Sequence, residues 1–256
     1  PLQGWTEEVS GLQPGDYNIR GIAVSNAGDL SLYATYWNSG VANGRDLTVV
    51  TREGGTWQIN HVEDLAPSAG TLQRVAVSEL WPGQAWVGVS TPPGGPKLLH
   101  TTDGGDTWED LTANLADLPR VRTVVPMPHD PGILFVGTEL GVYRSTDGGA
   151  SWSPFMDGLP VARTAELRLI ADPQHNGAWQ LVLATDGKGV WSRTVAAPPV
   201  IFVNQDATGP EDGTIWFPYD TLQEALAAAP AGAVIALRRD EYQAPQTLDQ
   251  DVRLIS

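Results

Sequence analysis

Two octapeptides of one pattern, Thr101-Thr-Asp-Gly-Gly-Asp-Thr-Trp108 and Ser145-Thr-Asp-Gly-Gly-Ala-Ser-Trp152, stand 44 residues apart. A repeat at that distance means that the chain is built from copies of one module, as solenoids, propellers and arrays are. The module is a β-hairpin. Asp-Gly between strand-like runs marks a tight turn, because Gly reaches positive φ without a Cβ clash. The Asp before the Gly pair can fold its carboxylate onto turn amides. The Trp falls on the returning strand, where its large apolar face can cover the turn. Asp103, Trp108, Asp147 and Trp152 are therefore expected to serve folding.

Between the octapeptides, three copies of a four-strand pattern can be read. The first has Ile19–Ser25, Leu30–Trp37, Asp46–Arg52 and Thr56–His61. The second has Gln73–Ser78, Ala85–Ser90, Lys97–Thr102 and Thr107–Asp110; the third has Val121–Pro126, Ile133–Thr138, Gly141–Thr146 and Ser151–Phe155. A fourth copy matches Leu181–Arg193 to Leu134–Ser145, aligns Trp191 with Tyr143, and then runs into Ala-Ala-Pro-Pro without a fourth strand. Gly4-Trp5-Thr-Glu-Glu looks like a fourth strand with nothing before it. Either Trp5 closes the last sheet of a four-bladed ring, or it belongs to a preceding blade of a larger ring; the second is preferred because four-bladed rings are uncommon.

From Val200 the pattern changes. Ile201-Phe-Val is strand-like, 204–214 is a polar loop, and Tyr219–Ala229 has the apolar spacing of a helix, capped by Asp220 or Thr221 and stopped by Pro230 and Gly232. Strands Val234–Leu237 and Val252–Ile255 follow.

The octapeptides resemble the Asp-box, or BNR repeat, of sialidase-, sortilin- and xyloglucanase-like β-propellers. Thr51-Arg-Glu-Gly-Gly-Thr-Trp57 is a degraded copy, one residue shorter and with Glu for Asp. The 200–256 segment is similar to the first coil of a right-handed parallel β-helix of the pectate-lyase type. The expected fold is thus all-β: β-propeller blades, four of them seen and part of a larger ring, then a short β-helix entry coil with one capping helix. The expected domains are 1–196 and 197–256, both cut from a longer chain. The resemblance implies an extracellular or cell-surface location.

Composition narrows the function classes. A net charge of −15 excludes a nucleic-acid partner, which needs a basic surface. Zero cysteines exclude disulfides and thiolate metal sites, and no run approaches the roughly 18 apolar residues of a membrane span. No cofactor is implied. The four histidines are scattered, and the oxygen-rich loop 204–212 lacks calcium-loop spacing, so no metal is expected.

Candidate binding residues come from topology. Loops joining first to second and third to fourth strands share one face, with the octapeptides; the other face carries the second-to-third loops and the connections between blades. There Trp37, with Asn38, Asn43 and Arg45, could stack and hold a sugar, or Trp37 could end a strand and pack between blades. Arg20, Arg74, Arg122 and Arg168 stand near the start of each innermost strand, where forked hydrogen bonds can hold a carboxylate or phosphate. Sialidase-like propellers use arginines in this way; salt bridges to the excess acids are the competing reading. No paired-carboxylate motif of a glycosidase is assignable. The preferred expectation is a non-enzymatic scaffold binding a protein or glycan on the face away from the octapeptides. The alternative is a carbohydrate-active enzyme, either a glycoside hydrolase or a lyase in the β-helix.

Overall fold

The computed structural model describes residues 18–27, 30–37, 47–62, 65, 70–117, 120–128, 130–171, 178–214, 217–237 and 252–255. Three four-stranded antiparallel sheets follow one another. The first is β1 (Asn18–Ser25), β2 (Ser31–Trp37), β3 (Leu47–Glu53) and β4 (Thr56–Val62). The second is β5 (Thr71–Val77), β6 (Ala85–Ser90), β7 (Leu98–Thr101) and β8 (Glu109–Asp110). The third is β9 (Val121–Met127), β10 (Asp130–Thr138), β11 (Val142–Ser145) and β12 (Ser153–Pro154). Each has the up-and-down order of a propeller blade. β13 (Thr164–Ala171), β14 (Ala178–Thr185) and β15 (Gly189–Ala196) make a fourth sheet of three strands. The chain is all-β.

Burial explains the sequence pattern. In β6, Ala85-Trp-Val-Gly-Val-Ser90 is buried at every position, because both faces of this strand are covered. Tyr33, Val49, Leu72, Val87 and Leu99 form a core between the first two sheets, and Trp86, Leu98, Val124, Leu134 and Trp152 form one between the second and third. The last strand of each sheet is exposed.

Two boundaries move for a physical reason. β8 and β12 are two residues long, not the four or five expected, because Thr107-Trp108 and Ser151-Trp152 spend their polar groups in the turns described below. The degraded copy is a different turn: Gly54 and Gly55, at φ 54° and 84°, link β3 and β4 in a two-residue hairpin whose flush register pairs Glu53 with Thr56. Both central residues are left-handed, as a type I′ turn requires.

By packing the chain divides into two units, 1–168 with 182–192, and 169–181 with 193–256. In the second, β16 (Val200–Val203), β17 (Ala233–Leu237) and β18 (Val252–Ile255) form a parallel sheet, with Val200 opposite Val234 and Ala233 opposite Val252. Helix α1 (Leu222–Ala228) covers it through Leu222 and Ala225, which meet Ile201, Val203 and Ile235. The helix starts later than the spacing suggests, because Tyr219 is held in a strand-like bridge with Val203. Thr221 caps it, accepting from Glu224 N at 3.3 Å and donating to the Glu224 carboxylate at 2.5 Å.

Candidate functional site

The two octapeptides fold alike. The Thr101 hydroxyl accepts from Gly105 N at 2.9 Å and donates to Asp103 Oδ1 at 2.7 Å. Asp103 then accepts from Thr107 N at 2.9 Å and from Thr107 Oγ1 at 2.5 Å. Ser145, Asp147, Gly149 and Ser151 repeat this set, with distances of 2.8, 2.7, 2.9 and 2.5 Å. The carboxylate therefore crosses the turn and holds both ends. The hydroxyls at the first and seventh positions are partners that the sequence reading missed; the restriction of both positions to Ser or Thr was the available signal. The Thr107 hydroxyl and amide hold the Asp103 carboxyl down at about 2, and Ser151 and Ser145 lower that of Asp147 in the same sense. A carboxylate so fully engaged by its own turn is a poor general base.

These turns also dock on the preceding sheet. Gly105, at φ 102°, leaves room for no side chain: a Cβ would lie 2.9 Å from Val49 Cγ2. At Gly149, φ 96°, a Cβ would lie 3.0 Å from Leu111. Burial pushes the hydroxyl of Tyr33 in the first sheet up to about 12, with Asp103 and Asp106 of the second sheet's turn adding to it. The two tryptophans differ. Trp108 Nε1 bonds within its own turn, to Gly105 O at 3.0 Å, and is partly buried. Trp152 is fully buried and reaches back to Leu111 O at 3.1 Å, with the Asn114 amide bonded to its backbone N and O at 2.8 Å each.

Hydrogen bonds sort the two faces as the strand order requires. Gly104 N donates to Gly83 O and Gly148 N to Gly132 O, at 3.0 and 2.9 Å, which sets the first octapeptide beside the first-to-second loop of its own sheet and the second beside the start of β10. On the opposite side Gly94 N donates to Ala116 O at 2.9 Å, joining loop 91–96 to the inter-sheet connection. That loop is organised by Lys97, a fully buried lysine whose Nζ donates to Thr91 O, Thr91 Oγ1 and Pro92 O at 2.7, 3.2 and 2.8 Å. Burial lowers its pKa. Lysines are seldom buried this completely, so residue type alone does not anticipate it.

The four arginines have different fates. Arg74 NH2 meets Glu166 Oε2 at 2.5 Å, and Arg168 Nε meets Glu166 Oε1 at 3.3 Å. Glu166, unremarked in the sequence, thus draws together arginines of the second and fourth sheets. Arg122 lies on β9, its Nε buried and without a hydrogen-bond partner. Arg20 is exposed on β1. Trp37 ends β2; its side chain and all of 38–46, including Asn38, Asn43 and Arg45, lie outside the described residues, as do His129 and His175.

One acidic group was not foreseen. Glu211, Asp220 and Glu224 bring carboxylate oxygens within 4.8 Å of one another on the surface of the second unit. Desolvation, with Asp220 and Glu224 adding to it, raises Glu211; the hydrogen bond with Glu224 raises Asp220; and the Thr221 hydroxyl lowers Glu224. No helix among the described residues is long and apolar enough to cross a membrane.

A comparison with protein families finds no match. Among curated proteins, the chain is 30% identical over 118 residues to a probable oligoxyloglucan-reducing end-specific xyloglucanase of Neosartorya fischeri, covering 42% of this chain and 14% of that protein. Among solved structures, it resembles a GH74 xyloglucanase from Xanthomonas campestris (TM-score 0.45, 20% identity, 73% of this chain and 31% of that one). It also resembles YCF48 from Cyanidioschyzon merolae (0.41, 17%, 73% and 59%) and an ancestral GH74 enzyme (0.44, 20%, 73% and 29%). These structural overlaps are partial and carry no functional weight. The curated relative corrects the expectation of a non-enzymatic scaffold: it is an enzyme, and the carbohydrate-active alternative is the better supported reading.

Proposed function

We propose that this chain is part of a secreted, glycoside-hydrolase-related protein acting on a xyloglucan-like polysaccharide. The reading rests on the 118-residue match to a xyloglucanase. The match spans 14% of that relative's length. Within this reading the octapeptides are Asp-boxes of a propeller occupying 1–196, and 197–256 opens a parallel β-helix. The glycan lies on the face of loop 91–96, away from the boxes, where the Lys97 amine holds the loop rigid. A preformed loop loses little entropy when a ligand is bound.

The test is affinity electrophoresis of the chain through gels containing xyloglucan, paired with a reducing-end assay on the same polysaccharide. Retardation by xyloglucan but not by dextran is expected. A folded sample that is neither retarded nor active would overturn the proposal.

A further inference from the structure

The reactive dipeptide Asp-Gly occurs five times in the described residues: Asp103-Gly104, Asp147-Gly148, Asp157-Gly158, Asp186-Gly187 and Asp212-Gly213. In such a pair the glycine amide nitrogen can attack the aspartate Cγ, since no side chain on the second residue obstructs it. The attack needs two freedoms. The carboxyl must be able to turn back onto the following amide, and that amide must not already be donating elsewhere. Three of the pairs lack both. Gly104 N donates to Gly83 O at 3.0 Å, Gly148 N to Gly132 O at 2.9 Å, and Gly213 N to Phe217 O at 3.0 Å. The Asp103 and Asp147 carboxylates are each fixed by three donors. Asp212 accepts from Thr214 N at 2.9 Å, and Tyr219 closes over Gly213, 2.8 Å from where a Cβ would stand.

Asp157-Gly158 has both freedoms. Leu159 N donates to Met156 O at 2.8 Å, closing a β-turn with Asp157 and Gly158 at its two central positions. Both residues are exposed. Gly158, at φ 81°, gives its N–H to no acceptor among the described residues, and nothing lies within 4 Å of where a Cβ would stand. The Asp157 carboxylate makes no hydrogen bond or ion pair among the described residues. Asp186-Gly187 is intermediate. Gly187 N also has no acceptor among the described residues, but the Asp186 carboxylate is ion-paired with Arg163, the two side chains being 40% and 51% exposed. A pair this open to water restrains a side chain only weakly.

We propose that Asp157 is a modification site at which the folded chain forms isoaspartate. Gly158 N bonds to Asp157 Cγ, and the amide proton leaves with the carboxyl's hydroxyl as water, which gives a succinimide ring. A second water then opens the ring at one of its two carbonyls. Opening on the side-chain side restores aspartate. Opening on the main-chain side leaves isoaspartate, in which the backbone runs through Cβ and Cγ and the old main-chain carbonyl has become the free carboxylate. The reaction consumes and returns one water, needs no oxidant, and leaves the net charge unchanged. It lengthens by one atom the connection between β12 and β13, which joins the third sheet to the fourth. The bonds that fold the octapeptides shield their own Asp-Gly pairs from the same reaction. Asn43-Gly44 and Asn176-Gly177, which close the same ring with loss of ammonia, lie outside the described residues.

The test ages the whole chain in mildly acidic buffer, digests it, and reads each position by electron-transfer fragmentation, which distinguishes isoaspartate from aspartate. Isoaspartate should accumulate at Asp157 about tenfold faster than at Asp103 or Asp147, where hydrogen bonds must break first, and at an intermediate rate at Asp186. Arg163→Gln should raise the rate at Asp186 toward that at Asp157. Asp157→Glu keeps the charge but would need a larger ring, and should stop the reaction at that turn alone. A sample aged in urea should react at all five pairs, which separates protection by the fold from slow chemistry. The proposal is overturned if Asp157 in the folded chain reacts no faster than Asp103 and Asp147. It is equally overturned if Asp157 stays unchanged in the folded chain while reacting in urea.

Discussion

Changing Asp103 to Ala removes one carboxylate and three hydrogen bonds, from Thr101 Oγ1, Thr107 N and Thr107 Oγ1. Holding the carboxyl at about 2 against an ordinary 3.8 corresponds to about 2.4 kcal/mol at face value. The carboxylate is exposed, and solvent screening leaves about 1–1.5 kcal/mol of it. For a domain of this size that is a fall in melting temperature of about 3–5 °C at pH 7. The pH dependence has a fixed sign. A carboxyl whose pKa is depressed by folding contributes fully above its unfolded value near 4, and the contribution fades as pH falls through about 2. Thermal unfolding of the two proteins, followed by near-ultraviolet circular dichroism from pH 7 to pH 2, should show a gap that is constant down to about pH 4 and then closes. Equal melting at pH 7, or a gap that persists undiminished at pH 2, would refute the reasoning.

Gly105→Ala and Gly149→Ala should each cost more than about 2 kcal/mol in urea unfolding, since both combine a left-handed backbone with a collision, at Val49 or Leu111. Gly148→Ala, with the same backbone sign but open space around it, should cost only about 1 kcal/mol. Trp152→Ala should lose about 3–5 kcal/mol and Trp108→Ala clearly less, because only Trp152 is fully buried and bonded to the neighbouring sheet. Thr221→Ala should cost about 1 kcal/mol and raise amide exchange in the first turn of α1 alone.

The strands of the first three sheets were legible because their residues answer to local rules. Ala85–Ser90 is apolar throughout and is a covered central strand; the Gly-Gly pairs mark turns. The limits lay where two distant segments decide together. Trp108 and Trp152 occupy the same place in the octapeptide, and only the presence of Asn114 and Leu111 in the preceding segment separates their surroundings. Glu166 is one acid among 30, and nothing local marks it as the residue that Arg74 and Arg168 both meet. Lys97 reads as a solvated strand end until the carbonyls of Thr91 and Pro92 close over its amine. The Glu211, Asp220 and Glu224 group depends on a loop returning to the start of a helix, which spacing does not reveal.

The seating of the two octapeptide turns on earlier parts of the chain gives it a direction of assembly. The turn at Gly105 needs Val49 already in place, and the turn at Gly149 needs Leu111, while neither contact demands anything that comes later in the chain. Domains form N-terminal first as they leave the ribosome. Each completed sheet therefore offers a finished template to its successor, and the order of synthesis coincides with the order in which these contacts can be made. Damage to an early sheet should propagate toward the C-terminus, whereas damage to a late one should leave its predecessors standing.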